Sequence, residues 1–223
     1  MAQKNIQTSS WMISLAKKID KATFYILGDI FRKITNINSK KYWDKYFSKY
    51  ESFYRDLPYR FLLDINVFPK NTTFSLLDIG CAMGDGCKLI KANFSEAKIN
   101  GADLSSVAIE KARKNSAGIN FYILDLKKDL LPQKYDFIVL SHILEHFNDP
   151  FPIVDKCLKF TNKALVIITP YIEKFDNPRL YAKSEHRYLF NEHTFLQYKC
   201  TILKITDYIE NLGYKYIIYK MEP

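Results

Sequence analysis

Long apolar runs are missing from this chain. None reaches the roughly 18 residues that a membrane-spanning helix needs. The N-terminus also lacks the short apolar core that marks a secretory signal, which predicts a cytoplasmic protein. Cysteine is scarce: Cys81, Cys87, Cys157 and Cys200 form no C-x-x-C pair and no metal-like spacing. Reduced thiols are therefore expected, with neither a disulfide framework nor a zinc site. Histidine is absent before residue 140; the four are His142, His146, His186 and His193. No internal repeat or low-complexity tract occurs.

What the chain does have is enough apolar material for a core. Its 223 residues are 48% hydrophobic, which suits one α/β domain plus an extension. The net charge of +9 is uneven. Residues 1–60 hold 12 Lys and Arg against 5 Asp and Glu, whereas residues 61–223 hold 21 against 19. A basic surface can recruit nucleic acid, anionic lipid or an acidic substrate, or can serve solvation alone. Because the surplus lies in residues 1–60, no dedicated nucleic-acid channel is expected in 61–223.

Residues 10–35 carry apolar side chains at helical spacing, among them Met12, Leu15, Ile19, Ile26 and Ile30, with lysines largely opposite. This predicts an amphipathic helix that either packs on the rest of the chain or lies on a membrane surface or partner. From Lys40 to Phe61 aromatics dominate, including Tyr42, Trp43, Tyr46, Phe47, Tyr50 and Tyr59. Core packing is one reading of them.

The stretch LLDIGCAMGDG at 76–86 reads as strand, tight turn, then helix, since Cys87, Leu89, Ile90 and Phe94 follow at roughly helical spacing. Gly80 and Gly84 permit a sharp turn and close backbone approach to a ligand. Asp78 and Asp85 flank that turn and disfavour a pyrophosphate; they favour a ligand carrying an ammonium and a sulfonium. The run resembles motif I of the class I S-adenosylmethionine (SAM)-dependent methyltransferases, Asp/Glu-x-Gly-x-Gly-x-Gly. Ala82 stands at the middle glycine, which implies a slightly tighter pocket.

The remaining segments follow in the order that this resemblance implies. Ile99–Asp103 ends a second strand, and Asp103 lies 25 residues beyond Asp78, where Rossmann-like folds place a carboxylate for the ribose hydroxyls. Ser105 or Ser106 is a candidate N-cap for the next helix. Phe121–Leu126 reads as a third strand, with Asp125 as acceptor for the adenine amine. Tyr135–Leu140 is a fourth strand, followed by SHILEHFNDP at 141–150. Ala164–Thr169 is a fifth, a helix is predicted near 191–199, and Ile202–Ile209 and Tyr214–Tyr219 form a closing hairpin. The likeness covers about residues 70–223. It implies a Rossmann-like, seven-stranded, mostly parallel sheet of order 3-2-1-4-5-7-6 with an antiparallel last strand and helices on both faces. Residues 1–60 are then a basic, aromatic-rich helical extension or lid, and 61–223 the catalytic domain.

By the same resemblance Asp78, Gly80, Cys81, Ala82, Gly84, Asp103, Leu104, Asp125, Leu126 and Ser141 are the SAM-binding set. His142 is the first candidate to face the methyl group, with His186 and Tyr171 as further catalytic candidates and Tyr181 as an orienting group. HRYLF at 186–190 is similar to a family element that closes over substrate. His142, Glu145 and His146 fall at i, i+3, i+4, which on a helical turn would share one face. Similar quinone-pathway O-methyltransferases, of the methyltransferase-11 type, carry Glu-x-x-Glu-His there and bind a divalent cation. Here His142 replaces the first Glu, which disfavours magnesium. The implied activity is methyl transfer from SAM, leaving S-adenosylhomocysteine (SAH), to an O or N nucleophile of a small polar or anionic metabolite. The alternatives are methylation of RNA or protein, or SAM binding without catalysis.

Overall fold

The apolar runs pair into one sheet of seven strands. The computed structural model describes residues 37–49, 56–171, 185–207 and 215–223. The amphipathic stretch 10–35, Tyr50, Tyr181 and the turn at 211–213 lie outside the described residues. In chain order the elements are α1 (Lys40–Ser48), α2 (Leu57–Asp64), β1 (Ser75–Ile79), α3 (Asp85–Asn93), β2 (Lys98–Asp103), α4 (Ser106–Asn115), β3 (Asn120–Ile123), β4 (Tyr135–Ser141), α5 (Phe151–Lys159), β5 (Thr161–Tyr171), β6 (Cys200–Ile205) and β7 (Lys215–Met221). The order is β3-β2-β1-β4-β5-β7-β6, as expected. β1 pairs in parallel with β2 and β4, and β7 runs antiparallel to both β5 and β6.

Alternation along β1 divides the core between the two faces of the sheet. Leu76 joins Phe137, Val139, Val166 and Ile218 on one face, covered by Tyr59 and Leu62 of α2, Cys87 and Ile90 of α3, and Ile109 and Ala112 of α4. Leu77 and Ile79 join Ile138, Leu140, Leu165 and Ile217 on the other, covered by Ile153, Val154 and Cys157 of α5. A parallel sheet buried on both faces needs such near-continuous apolar strands.

Two elements differ from expectation. The third strand ends at Ile123 and not at Leu126, because Asp125 starts its own turn: its side chain accepts the Lys127 amide at 3.0 Å and its carbonyl the Asp129 amide at 2.8 Å. No helix forms over 191–199. The Thr194 hydroxyl accepts the Asn191 amide and the Asn191 side chain the His193 amide, bonds that compete with a helical ladder, and Phe195 is buried against Phe190 and Tyr219. Among the described residues, no helix is long and apolar enough to cross a membrane.

Candidate active site

The sheet order brings the carboxyl ends of β2, β1 and β4 side by side. After β1 the chain enters a turn with left-handed backbone at Gly80 (φ 79°), Ala82 (φ 49°) and Gly84 (φ 84°). The first two amides of the turn, those of Gly80 and Cys81, donate to the Ala102 carbonyl at 2.7 and 3.1 Å, which fastens the turn to β2. A Cβ at Gly80 would stand 2.0 Å from Cδ1 of Ile143, so the glycine is needed for the β4 loop as well as for the turn.

Asp103 closes β2 and faces this turn. One carboxylate oxygen accepts the Ala82 amide at 3.0 Å and the other the Ser105 amide at 2.8 Å. Ala82, the residue that departs from the glycine pattern, thus contributes a backbone donor that needs no particular side chain. Ser105 caps α4, its hydroxyl accepting the Ala108 amide at 3.2 Å and donating to Asp44 of α1 at 2.7 Å. Phe47 of α1 packs on Met83 and Ala108, with Trp43, Tyr46 and Ala82 at the margin. Part of the aromatic segment is therefore core, and part borders the turn.

Asp78 is fully buried in β1, where it accepts hydrogen bonds from the Tyr59 hydroxyl at 2.8 and 3.0 Å and from the Cys87 thiol at 3.3 Å. Burial raises its carboxyl to about 7; the Tyr59 and Cys87 hydrogen bonds oppose that rise, and the nearby Asp103 charge adds to it. Burial likewise pushes the Cys81 thiol up to about 11. Leu104 is half-buried between Asp103 and the α4 cap. Leu126 is buried in the second core cluster, while Asp125 is half-buried and paired with Lys128 at 3.3 Å.

At the end of β4, Ser141 Oγ lies 3.2 Å from Nδ1 of His142. His142 has φ 56°, its amide donates to the Ile168 carbonyl at 2.9 Å, and its ring stands edge-on to Tyr216 of β7 at 4.8 Å. This left-handed residue diverts the chain before the single 3₁₀ turn Leu144–His146. The expectation that His142, Glu145 and His146 share one helical face is therefore corrected. Glu145 points into the interior, and His146 stacks edge-on with Trp43 at 5.1 Å and His186 at 5.5 Å. Tyr171, at the end of β5, donates its hydroxyl to Glu192 at 2.6 Å. His142 and His186 thus meet different neighbours, Tyr216 and His146. Among the described residues, no group of three His, Cys, Asp or Glu side chains is placed to hold a metal ion.

Sequence reasoning named Tyr59 only as one of the aromatics between Lys40 and Phe61, assigned no role to Asp44, and did not single out Ile143 or Tyr216.

The architecture and sequence have relatives. A family model described as a methyltransferase domain matches residues 46–217. A malonyl-[acyl-carrier protein] O-methyltransferase of Acetivibrio thermocellus is 31% identical over 100 residues, 44% of this chain and 35% of that protein. The enzyme of the same name from Bacillus anthracis is 27% identical over 84 residues, 37% of this chain and 31% of that protein. The matches span about a third of these curated relatives. The structure of the plantazolicin methyltransferase BpumL, with a triazolic substrate analogue and SAH, superposes with a TM-score of 0.60 at 16% identity, covering 90% of this chain and 97% of that one. Magnesium protoporphyrin IX methyltransferase from Synechocystis, solved with SAH, gives 0.59 at 14% identity, covering 75% and 81%. At those identities the structural likeness establishes the fold.

Proposed function

The chain belongs to the methyltransferase-domain family, and on that premise we propose that it transfers a methyl group from SAM to an O or N nucleophile of a small, polar or anionic metabolite. The observation that carries this reading is the Asp103 carboxylate, held by the Ala82 and Ser105 amides at the carboxyl end of β2 beside the left-handed turn. In that position a carboxylate can accept both hydroxyls of a ribose. SAM supplies a methyl group activated by its sulfonium. Gly80, Cys81, Ala82 and Gly84 give the backbone of the cradle, and Asp125 accepts from the adenine amine between Leu104 and Leu126. Asp78 supplies negative charge beneath the turn, and Ser141 closes the cradle from β4.

His142 is assigned as general base for a hydroxyl acceptor, with Tyr171 and His186 flanking the acceptor. A positioned base typically contributes about 10²–10⁴-fold, and alignment of the reacting groups adds to it. Residues 61–223 are assigned as the catalytic domain and 1–60 as a basic extension. The Asp44–Ser105 hydrogen bond supports a covering role for α1 within that extension.

A carboxylate acceptor is a second version of the same chemistry, favoured by the malonyl group in the names of the curated relatives. A carboxylate is already deprotonated and would not need His142 as base. RNA is disfavoured as acceptor by the near balance of charge in residues 61–223.

Titration calorimetry tests the cofactor assignment. Hydrogen bonds to charged groups are worth about 1.5–3 kcal/mol, so Asp103→Ala should weaken SAM binding at least about tenfold. Unchanged affinity in a folded variant would remove the assignment. A screen of metabolites with labelled SAM then identifies the acceptor.

A further inference from the structure

We infer that Tyr59 is a positioning residue for the cofactor: its phenol donates to the Asp78 carboxyl beneath the glycine turn and favours its charged form, so that cationic SAM binds in preference to uncharged SAH. This rests on the SAM reading above. Tyr59 lies on α2, upstream of the motif, and its hydroxyl reaches both oxygens of Asp78 at 2.8 and 3.0 Å. The Cys87 thiol, from α3, donates to the second oxygen at 3.3 Å. Gly86 leaves room for the phenol ring; a Cβ there would stand 2.3–2.5 Å from its carbons. The three side chains are sealed from solvent, and among the described residues no Lys, Arg or His forms an ion pair with Asp78.

In that setting hydrogen-bond donors are what favour the ionised carboxylate against burial. The groups facing it are Tyr59 from α2, Cys87 from α3, Cys81 from the turn and Asp103 from β2. Burial raises Tyr59, Cys81 and Cys87 above their ordinary ranges, so all three stay protonated; Tyr59 and Cys87 donate to Asp78, and Cys81 to the Ala82 carbonyl. Among the described residues Asp103 alone brings charge, and it opposes ionisation of Asp78. In β1's neighbours, Asp78 aligns with Gly101 and Val139, which carry none.

SAM carries a sulfonium, an ammonium and a carboxylate, a net single positive charge. SAH has lost the sulfonium and is neutral overall. A buried, unscreened negative charge under the turn distinguishes the two, because Coulomb interactions weaken little where water is excluded. Asp78 sits near the balance point between protonated and ionised at about 7, so a modest change in its donors changes its charge at neutral pH.

The experiment measures SAM and SAH affinity by calorimetry from about pH 6 to about pH 9 for the unsubstituted chain, Tyr59→Phe and Asp78→Asn. Thermal unfolding runs alongside. Tyr59→Phe keeps the ring over Gly86 and removes only the hydroxyl. In the unsubstituted chain SAM should tighten as pH rises through about 7, with SAH nearly flat. In Tyr59→Phe the SAM midpoint should move to higher pH by about one to two units, with a loss of roughly tenfold or more at neutral pH that is recovered at the alkaline end. Asp78→Asn should abolish the pH dependence. If Tyr59→Phe does not fold, Cys87→Ala should move the midpoint in the same direction. A loss of equal size at every pH and for both ligands would make Tyr59 merely structural and overturn the inference. An unmoved midpoint in a folded variant would overturn it too. If the unsubstituted chain binds no SAM at any pH, the functional reading falls, and the inference with it.

Discussion

Trp43 stands edge-on to His146, with ring centroids 5.1 Å apart, and His146 in turn meets His186 at 5.5 Å. Three segments remote in sequence converge there: α1, the turn after β4, and the HRYLF stretch. Backbone bonds reinforce the junction, since the Glu145 carbonyl accepts the amides of Arg187 at 2.5 Å and Tyr188 at 3.2 Å.

Trp43→Ala should therefore loosen α1. Truncating a fully buried Trp costs about 3–5 kcal/mol, and Trp43 is half-buried, so about 1–3 kcal/mol is expected. SAM affinity should fall several-fold as well, because α1 is tied through Asp44 to Ser105, which also donates to Asp103. Urea unfolding and calorimetry check both. A variant with unchanged stability would show that α1 contributes little to the packing.

His142 offers a separation of strain from chemistry. Its φ of 56° lies in the left-handed region, where a non-glycine residue costs on the order of 1–3 kcal/mol. His142→Ala should lower turnover of a hydroxyl acceptor by about 10²–10⁴-fold with SAM affinity nearly unchanged. His142→Gly should lose the same activity and yet be more stable than His142→Ala. A chelator should leave turnover unaffected. Full turnover in His142→Ala would remove the base assignment, and is the result expected if the acceptor is a carboxylate.

Asp78 makes a stability prediction with a definite sign. Burial raises its carboxyl from the ordinary carboxylate range to about 7 in the folded chain. Below its unfolded value the group is protonated in both states and its contribution is fully present. As pH rises toward about 7 the unfolded chain has released that proton and the folded chain still holds it, so the contribution is lost. Relative to Asp78→Asn, the unsubstituted chain should lose on the order of 3–4 kcal/mol across that window. Urea unfolding at a series of pH values reads it. A constant difference between the two proteins would place the Asp78 titration in its ordinary range.

Local units of the fold were legible in the amino-acid order. A run such as Leu76–Ile79 followed by Gly80 and Gly84 specifies strand and turn, because alternation and glycine's freedom act over a few neighbouring residues. The N-cap could be narrowed to Ser105 or Ser106, of which the structure uses Ser105, and Asp103 named as the acid closing β2, for the same reason. The strand order, expected from the resemblance, followed once those units were in place. Tertiary structure decided what those units touch. Asn191 and Thr194 turned an expected helix into turns by satisfying backbone groups with side chains. His142 took a left-handed backbone and separated three residues that helical spacing would have put on one face. Tyr59 reached Asp78, and Trp43 reached His146, through contacts between segments with no shared period or turn chemistry. Such contacts depend on how faces pack and which polar groups burial forces into partnership, and neither is encoded in any single stretch of chain.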